Sequence, residues 1–149
     1  YFTMPMLTIL SVGKPKSYRA QIGEYLQRTG RYRPINAIAV KEGKGQNEEI
    51  VKKKEGERLL ERAGDGFIIA LHETGRQYDS PAFSRLLQKH QSMTFIIGGA
   101  FGLSEEVMEK AHLQLSLCAM TLQHELALLV LLEQIYRGCT ILKGEKYHK

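Results

Sequence analysis

One stretch constrains what this chain can fold into more than any other: residues 95–122, FIIGGAFGLSEEVMEKAHLQLSLCAMTL. It opens on Phe95, Ile96 and Ile97, a short apolar run of the kind found in strands buried on both faces. Gly98, Gly99 and Gly102 follow, and glycine lets a backbone turn sharply or lets a ligand approach main-chain amides. Ser104 stands where a helix N-cap is wanted, with Glu105 and Glu106 in the first turn, where carboxylates favour the positive end of the dipole. The unit is strand, glycine turn, helix, then a second apolar run from Leu113. In open α/β sheets, ligands gather where such turns leave the carboxyl ends of strands. Many such turns also hold no ligand at all. The spacing G-G-x-x-G is not the dinucleotide fingerprint G-x-G-x-x-G, and it lacks the Lys and Ser/Thr of a phosphate loop. A nucleoside ligand held by main-chain groups remains open.

The rest of the chain repeats this alternation. Apolar runs at 6–12, 34–40, 66–72, 93–97 and 113–118 read as strands. Helical patterns cover 17–29, with Gly30 as a stop, then 47–63, 80–90, 104–111 and 124–139. Ser80-Pro81 reads as an N-cap followed by proline at the first helical position. The polar, glycine-rich segment 41–46 reads as a mobile surface loop, and 140–149 as an irregular tail. Strands apolar on both faces, alternating with helices, define an α/β fold: a mainly parallel sheet with helices on both faces. A chain of 149 residues accommodates this as one domain.

Composition narrows the function classes. No apolar run approaches the length of a membrane-spanning helix, and no secretory leader is visible. Tyr1–Thr3 precede any methionine, so residues 1–5 read as an expression remnant, with Met4 or Met6 as the native start. Cys118 and Cys139 have no metal-ligand spacing and are too few for a disulfide framework. They read as reduced, cytosolic and structural. A net charge of +5 is compatible with a nucleic-acid partner without demanding one. The last helix is apolar almost all round, from Leu126 through Ile135, whereas a surface helix of a monomer shows a polar face. That excess points to burial on two sides, against the sheet and against a second subunit.

Several motifs occur together in one order: Val12-Gly13-Lys14, Lys54-Glu55-Gly56-Glu57, the turn from Gly98 to Leu103, the segment Leu117–Leu122, His124, Glu133–Arg137 and the terminal Gly144–Lys149. Together they resemble the bacterial ribosomal RNA large-subunit methyltransferase H family, over residues 6–149 as a single domain. That family belongs to the SPOUT class. The resemblance implies a carboxyl-terminal trefoil knot, which no composition argument would propose. It also implies a cytoplasmic homodimer that uses S-adenosyl-L-methionine, with no metal and no membrane. The implied reaction is methylation of N3 of a pseudouridine in large-subunit ribosomal RNA, on the assembled ribosome.

Carried over by position, the cofactor would meet Leu71, Gly98 and the run Leu117, Cys118, Ala119, Met120, Thr121 and Leu122. Tyr147 and His148 become candidate catalytic residues. Lys149 and Lys146 in the tail, with Lys14, Lys16 and Arg19 near the first turn, become candidate RNA contacts, and phosphate contacts of that kind weaken steeply with salt. Lys52–Lys54 read as a solvated helix face, and His72, His90 and His112 as surface or loop residues. Cys118 reads as a buried, inert thiol, and Glu133 as a partnered carboxylate. The chain departs from the family pattern at Gln123, where proline is usual, at Leu128, where arginine is expected, and at the apolar pair Ala100-Phe101. These changes fall on the substrate side. Two rivals follow: a non-catalytic nucleotide- or ribosome-binding protein on the same scaffold, and an unrelated flavodoxin-like binding domain.

Overall fold

A computed structural model describes residues 5–149; all of the segment read as an expression remnant except Pro5 lies outside the described residues. Five strands and five helices alternate along the chain: β1 Leu7–Val12, α1 Arg19–Gly30, β2 Ile35–Val40, α2 Glu48–Arg62, β3 Phe67–Gln77, α3 Ser80–Lys89, β4 Met93–Ile96, α4 Glu105–Lys110, β5 Leu113–Ser116 and α5 His124–Leu142. The strands form one sheet in the order β2-β1-β4-β3-β5, and every pairing is parallel. The flavodoxin-like order is 2-1-3-4-5. The exchange of β3 and β4 separates this sheet from that rival.

Period-two alternation explains why the strands read as unbroken apolar runs. In β1, Leu7 and Ile9 enter one core while Leu10 and Val12 enter the other. Phe95 and Ile96 divide in the same way in β4. Side chains on both faces must be apolar because helices cover both. One core is closed by α1, α3 and α5 through Ile22, Leu87, Leu131, Leu132 and Ile135. The other is closed by α2 and α4 through Leu59 and Val107.

Local rules account for most element ends. The Asn47 carboxamide accepts the Ile50 N–H at 3.0 Å to open α2, and Ser104 Oγ accepts the Val107 N–H at 3.3 Å to open α4. The structure moves the start of α3: Asp79, not Ser80, is the cap, accepting the Ala82 N–H at 2.8 Å and placing Pro81 second in the helix. Helix α1 begins two residues later than its pattern implied and keeps Gly30 within its last turn. Helix α5 runs on through Leu142, so Thr140–Leu142 are helical rather than irregular.

Two differences bear on the site. Strand β3 continues to Gln77, with its pairing to β5 slipping between Leu71 and Arg76. The extra residues bulge out at the carboxyl end of the sheet, as β-bulges do when they re-aim side chains. The segment 41–46 is not a free loop. Glu55 holds the Gly43 N–H at 3.0 Å, Lys54 Nζ donates to the Lys44 carbonyl at 2.7 Å, and Arg58 donates to the Lys41 and Glu42 carbonyls at 2.9 and 3.0 Å.

Candidate cofactor cleft and the carboxyl-terminal tail

At the carboxyl ends of β3, β4 and β5 lies a cleft of about 650 Å³. Its size is that of a small-molecule site. Three segments wall it: the end of β3 at Leu71–Glu73, the turn Ile97–Leu103, and the connection from β5 into α5.

The glycine turn is built by local bonding. Gly102 N–H donates to the Gly99 carbonyl at 3.0 Å, closing a β-turn with Ala100 and Phe101 at its centre. Gly102 has φ +86°, a conformation that glycine tolerates and L side chains resist. A Cβ on Gly98 would stand 2.6 Å from the Gly102 carbonyl carbon and 2.9 Å from the Leu103 nitrogen. The wall folds back on itself so closely that only hydrogen fits at that position.

On the facing wall, the Ser116 hydroxyl shares its one proton between the carbonyls of Glu73 (3.0 Å) and Cys118 (2.8 Å), tying the bulge of β3 to the chain leaving β5. Gln123 then caps α5, its Oε1 accepting the N–H groups of Glu125 and Leu126 at 3.1 and 3.0 Å. A glutamine in place of proline thus serves as the N-cap.

Of the cofactor residues expected from the sequence, Leu71, Gly98, Leu117, Cys118, Met120, Thr121 and Leu122 line this one cleft, while Ala119 does not. Cys118 is half-buried, not buried, because the chain there has left the sheet for the cleft rim. Sequence reasoning passed over His72, which lines the cleft with its Nδ1 2.7 Å from Thr74 Oγ1. Its signal was its place at the very end of an apolar strand run. Phe101 and Met120 stand at the rim, 45% and 78% exposed, with no apolar cover.

The basic candidates divide into two places. Lys14 and Lys16 are exposed on the loop after β1, at the same end of the sheet, and Arg19 is exposed at the start of α1. His124 lines both the cleft and the small recess that Lys14 borders. Glu125, which the sequence did not single out, fixes this loop: its Oε1 accepts the N–H groups of Tyr18 (2.6 Å) and Lys16 (2.9 Å). The Tyr18 N–H chiefly, together with neighbouring backbone donors, holds its carboxyl below the usual range. Leu128 is 3% exposed and packs in the core, at the floor of that same recess.

The tail lies elsewhere. Tyr147 donates to Glu133 Oε2 at 3.0 Å, and its ring meets Tyr136 edge-on with centroids 4.8 Å apart. His148 Nδ1 takes a hydrogen bond from Arg137 at 3.1 Å. Glu133 is partnered as expected, bonded also to Arg137 at 3.0 Å. Burial, then hydrogen bonding to Tyr25 and Glu133, raises the Tyr147 phenol far above its ordinary value. Lys146 and Lys149 are exposed. Arg137 is ten residues beyond Ala127, the last α5 residue of the cleft, so tail and cleft stand about 15 Å apart along the helix. One chain does not bring its candidate catalytic and cofactor residues together.

No group of three or more His, Cys, Asp or Glu side chains able to hold a metal exists among the described residues, and no described helix is long and apolar enough to cross a membrane.

The chain is thus a parallel α/β protein with a glycine-walled cleft at the carboxyl end of its sheet, and known proteins specify its class. The family model described as "Predicted SPOUT methyltransferase" matches residues 6–148. Among solved structures, a probable methylase family protein from Haemophilus influenzae aligns over 96% of this chain and 70% of its own, with a TM-score of 0.57 at 14% identity. A SpoU methyltransferase from Streptomyces viridochromogenes, in complex with AdoMet, aligns over 98% and 61%, with a TM-score of 0.50 at 14% identity. These two share the fold.

Closer in sequence are proteins named ribosomal RNA large subunit methyltransferase H. That of Syntrophotalea carbinolica is 44% identical over 93% of this chain and 92% of its own, and that of Alkaliphilus oremlandii is 42% identical over 96% and 99%. The chain belongs to this family of SPOUT methyltransferases.

Proposed function

We propose that this methyltransferase transfers a methyl group from S-adenosyl-L-methionine to N3 of a pseudouridine in large-subunit ribosomal RNA, on the assembled cytoplasmic ribosome. The observation that carries the reading is the cleft: about 650 Å³, walled by a turn in which Gly98 leaves no space for a Cβ. The residues fit the group. Leu71, Ile97, Leu117 and Leu122 supply apolar walls for an adenine, and the glycine turn supplies main-chain polar groups. When bound, the sulfonium supplies an electrophilic methyl and leaves as a neutral thioether.

The protein's part is to hold the imide nitrogen in line with that methyl and to favour loss of its proton. As docked, the Tyr147 phenol holds its proton. The phenol donates to Glu133, and the imidazole lone pair at Nδ1 is spent on Arg137. Their role in this arrangement is to orient the base, while Lys146 and Lys149 favour the imide anion and Lys14, Lys16 and Arg19 contact phosphates.

The active unit is a homodimer. Leu126 and Val130 are half-buried and lie outside both cores, on the same stripe of α5 as Glu133 and Arg137. A second copy packed on that stripe sets its tail beside the first copy's cleft. The trefoil knot belongs to this proposal with the dimer. Incubating ribosomes from a strain lacking the modification with methyl-labelled S-adenosylmethionine tests the reading; label on large-subunit RNA supports it, and none overturns it.

A further inference from the structure

Glu55, within α2, is 4% exposed. One carboxylate oxygen, Oε2, accepts the Gly43 N–H at 3.0 Å, but Oε1 is buried with no hydrogen-bond partner. Leaving such an oxygen unmatched is costly, and native structures seldom do so without a use for it. Its neighbour is specific. A Cβ on Gly99 would stand 3.0 Å from this Oε1 and 3.2 Å from Val12 Cγ1. Gly99 opens the β-turn that walls the cleft, so the spare acceptor lies against that turn from the α2 side. The same carboxylate clasps segment 41–46, where Lys41 and Lys44 are exposed.

We propose that Glu55 is a positioning residue for the cofactor cleft. Its free oxygen accepts a main-chain N–H of the glycine turn when the turn settles on S-adenosylmethionine, while its other oxygen keeps the basic segment in place. A carboxylate oxygen can only accept, and the adjoining turn supplies main-chain donors. The inference rests on the cofactor reading of the cleft.

Glu55→Gln tests it, because an amide of the same shape offers one acceptor instead of two. Its oxygen stays on Gly43 and its NH2 faces the turn. In calorimetric titrations with S-adenosylhomocysteine, the variant binds about tenfold more weakly while its melting temperature stays near wild type. In turnover, KM for S-adenosylmethionine rises by the same factor, and kcat at saturating cofactor holds. Arg58→Ala, which loosens segment 41–46 alone, keeps wild-type affinity. Wild-type affinity in Glu55→Gln overturns the proposal, since a single acceptor on Gly43 then suffices. Should that variant fold poorly, Gly99→Ala interposes a methyl between Oε1 and the turn with α2 intact, and wild-type affinity there overturns it equally. Absence of binding by the wild-type protein overturns the cofactor reading itself, and this proposal with it.

Discussion

Gly98→Ala is the sharpest perturbation of the cleft. The added methyl carbon would meet the Gly102 carbonyl carbon at 2.6 Å, where an ordinary contact begins at 3.4 Å, so the turn must retreat by roughly 0.8 Å. The obstructing atoms are backbone, held by the Gly102 to Gly99 hydrogen bond, and cannot swing aside as a side-chain tip would. Overpacking of this kind costs about 1–3 kcal/mol. For a chain of this length that lowers the melting temperature by roughly 3–10 °C. The effect on function is larger, because the retreating turn is itself the cleft wall. A displacement near 1 Å at a reacting centre costs about a hundredfold in rate. Calorimetry with S-adenosylhomocysteine, beside thermal melts and initial rates, reads all three quantities. We expect affinity weaker by about tenfold or more and kcat/KM lower by about a hundredfold. A variant that melts earlier yet binds with wild-type affinity would refute the claim that the turn cradles the cofactor.

Two further outcomes follow from the structure. The folded-state pKa of Glu125 is lowered by the Tyr18 and Lys16 N–H groups, so its contribution to stability is present above the ordinary value of 4.5 and is lost as pH falls through the lower folded value. Melts from pH 7 down to about 3 should show Glu125→Gln less stable than wild type at neutral pH, with the gap closing in acid; a constant gap contradicts the assignment. Val130→Glu places a charge on the half-buried stripe of α5, and sedimentation should show dimer affinity weakened by about thirtyfold or more. A dimer of unchanged affinity would place the interface elsewhere.

The strands were legible because each is covered on both faces, so burial alone writes an apolar run. The residues of β3 beyond Leu71, HETGRQ, carry no such signal. They are strand only because β5 pairs with them after a register slip, and pairing across 39 residues or more leaves no local trace. That is why His72 read as a loop residue and not as cleft wall. Asp79 and Ser80 are both good caps, and the choice between them turns on which oxygen reaches the Ala82 N–H. Gly98 and Leu117–Leu122 came from the family resemblance; that they face one another follows from the topology, in which β4 and β5 both flank β3. Glu125 was invisible for a simpler reason. Its partners Lys16 and Tyr18 lie more than a hundred residues away. The docking of Tyr147 and His148 onto Glu133 and Arg137 is likewise tertiary, and it alone reveals the separation of tail and cleft within one chain.

The central claim is methyl transfer to ribosomal RNA, and mapping the product tests it most directly. Ribosomes lacking the modification are incubated with the protein and methyl-labelled S-adenosylmethionine, and the labelled nucleotide is identified by digestion and mass spectrometry. The account predicts one methyl on N3 of a pseudouridine in the large-subunit RNA, formed about a hundredfold more slowly when Gly98→Ala replaces the wild-type protein. A protein that binds S-adenosylmethionine yet leaves every ribosomal nucleotide unlabelled would contradict it and favour a non-catalytic binding protein on the same scaffold.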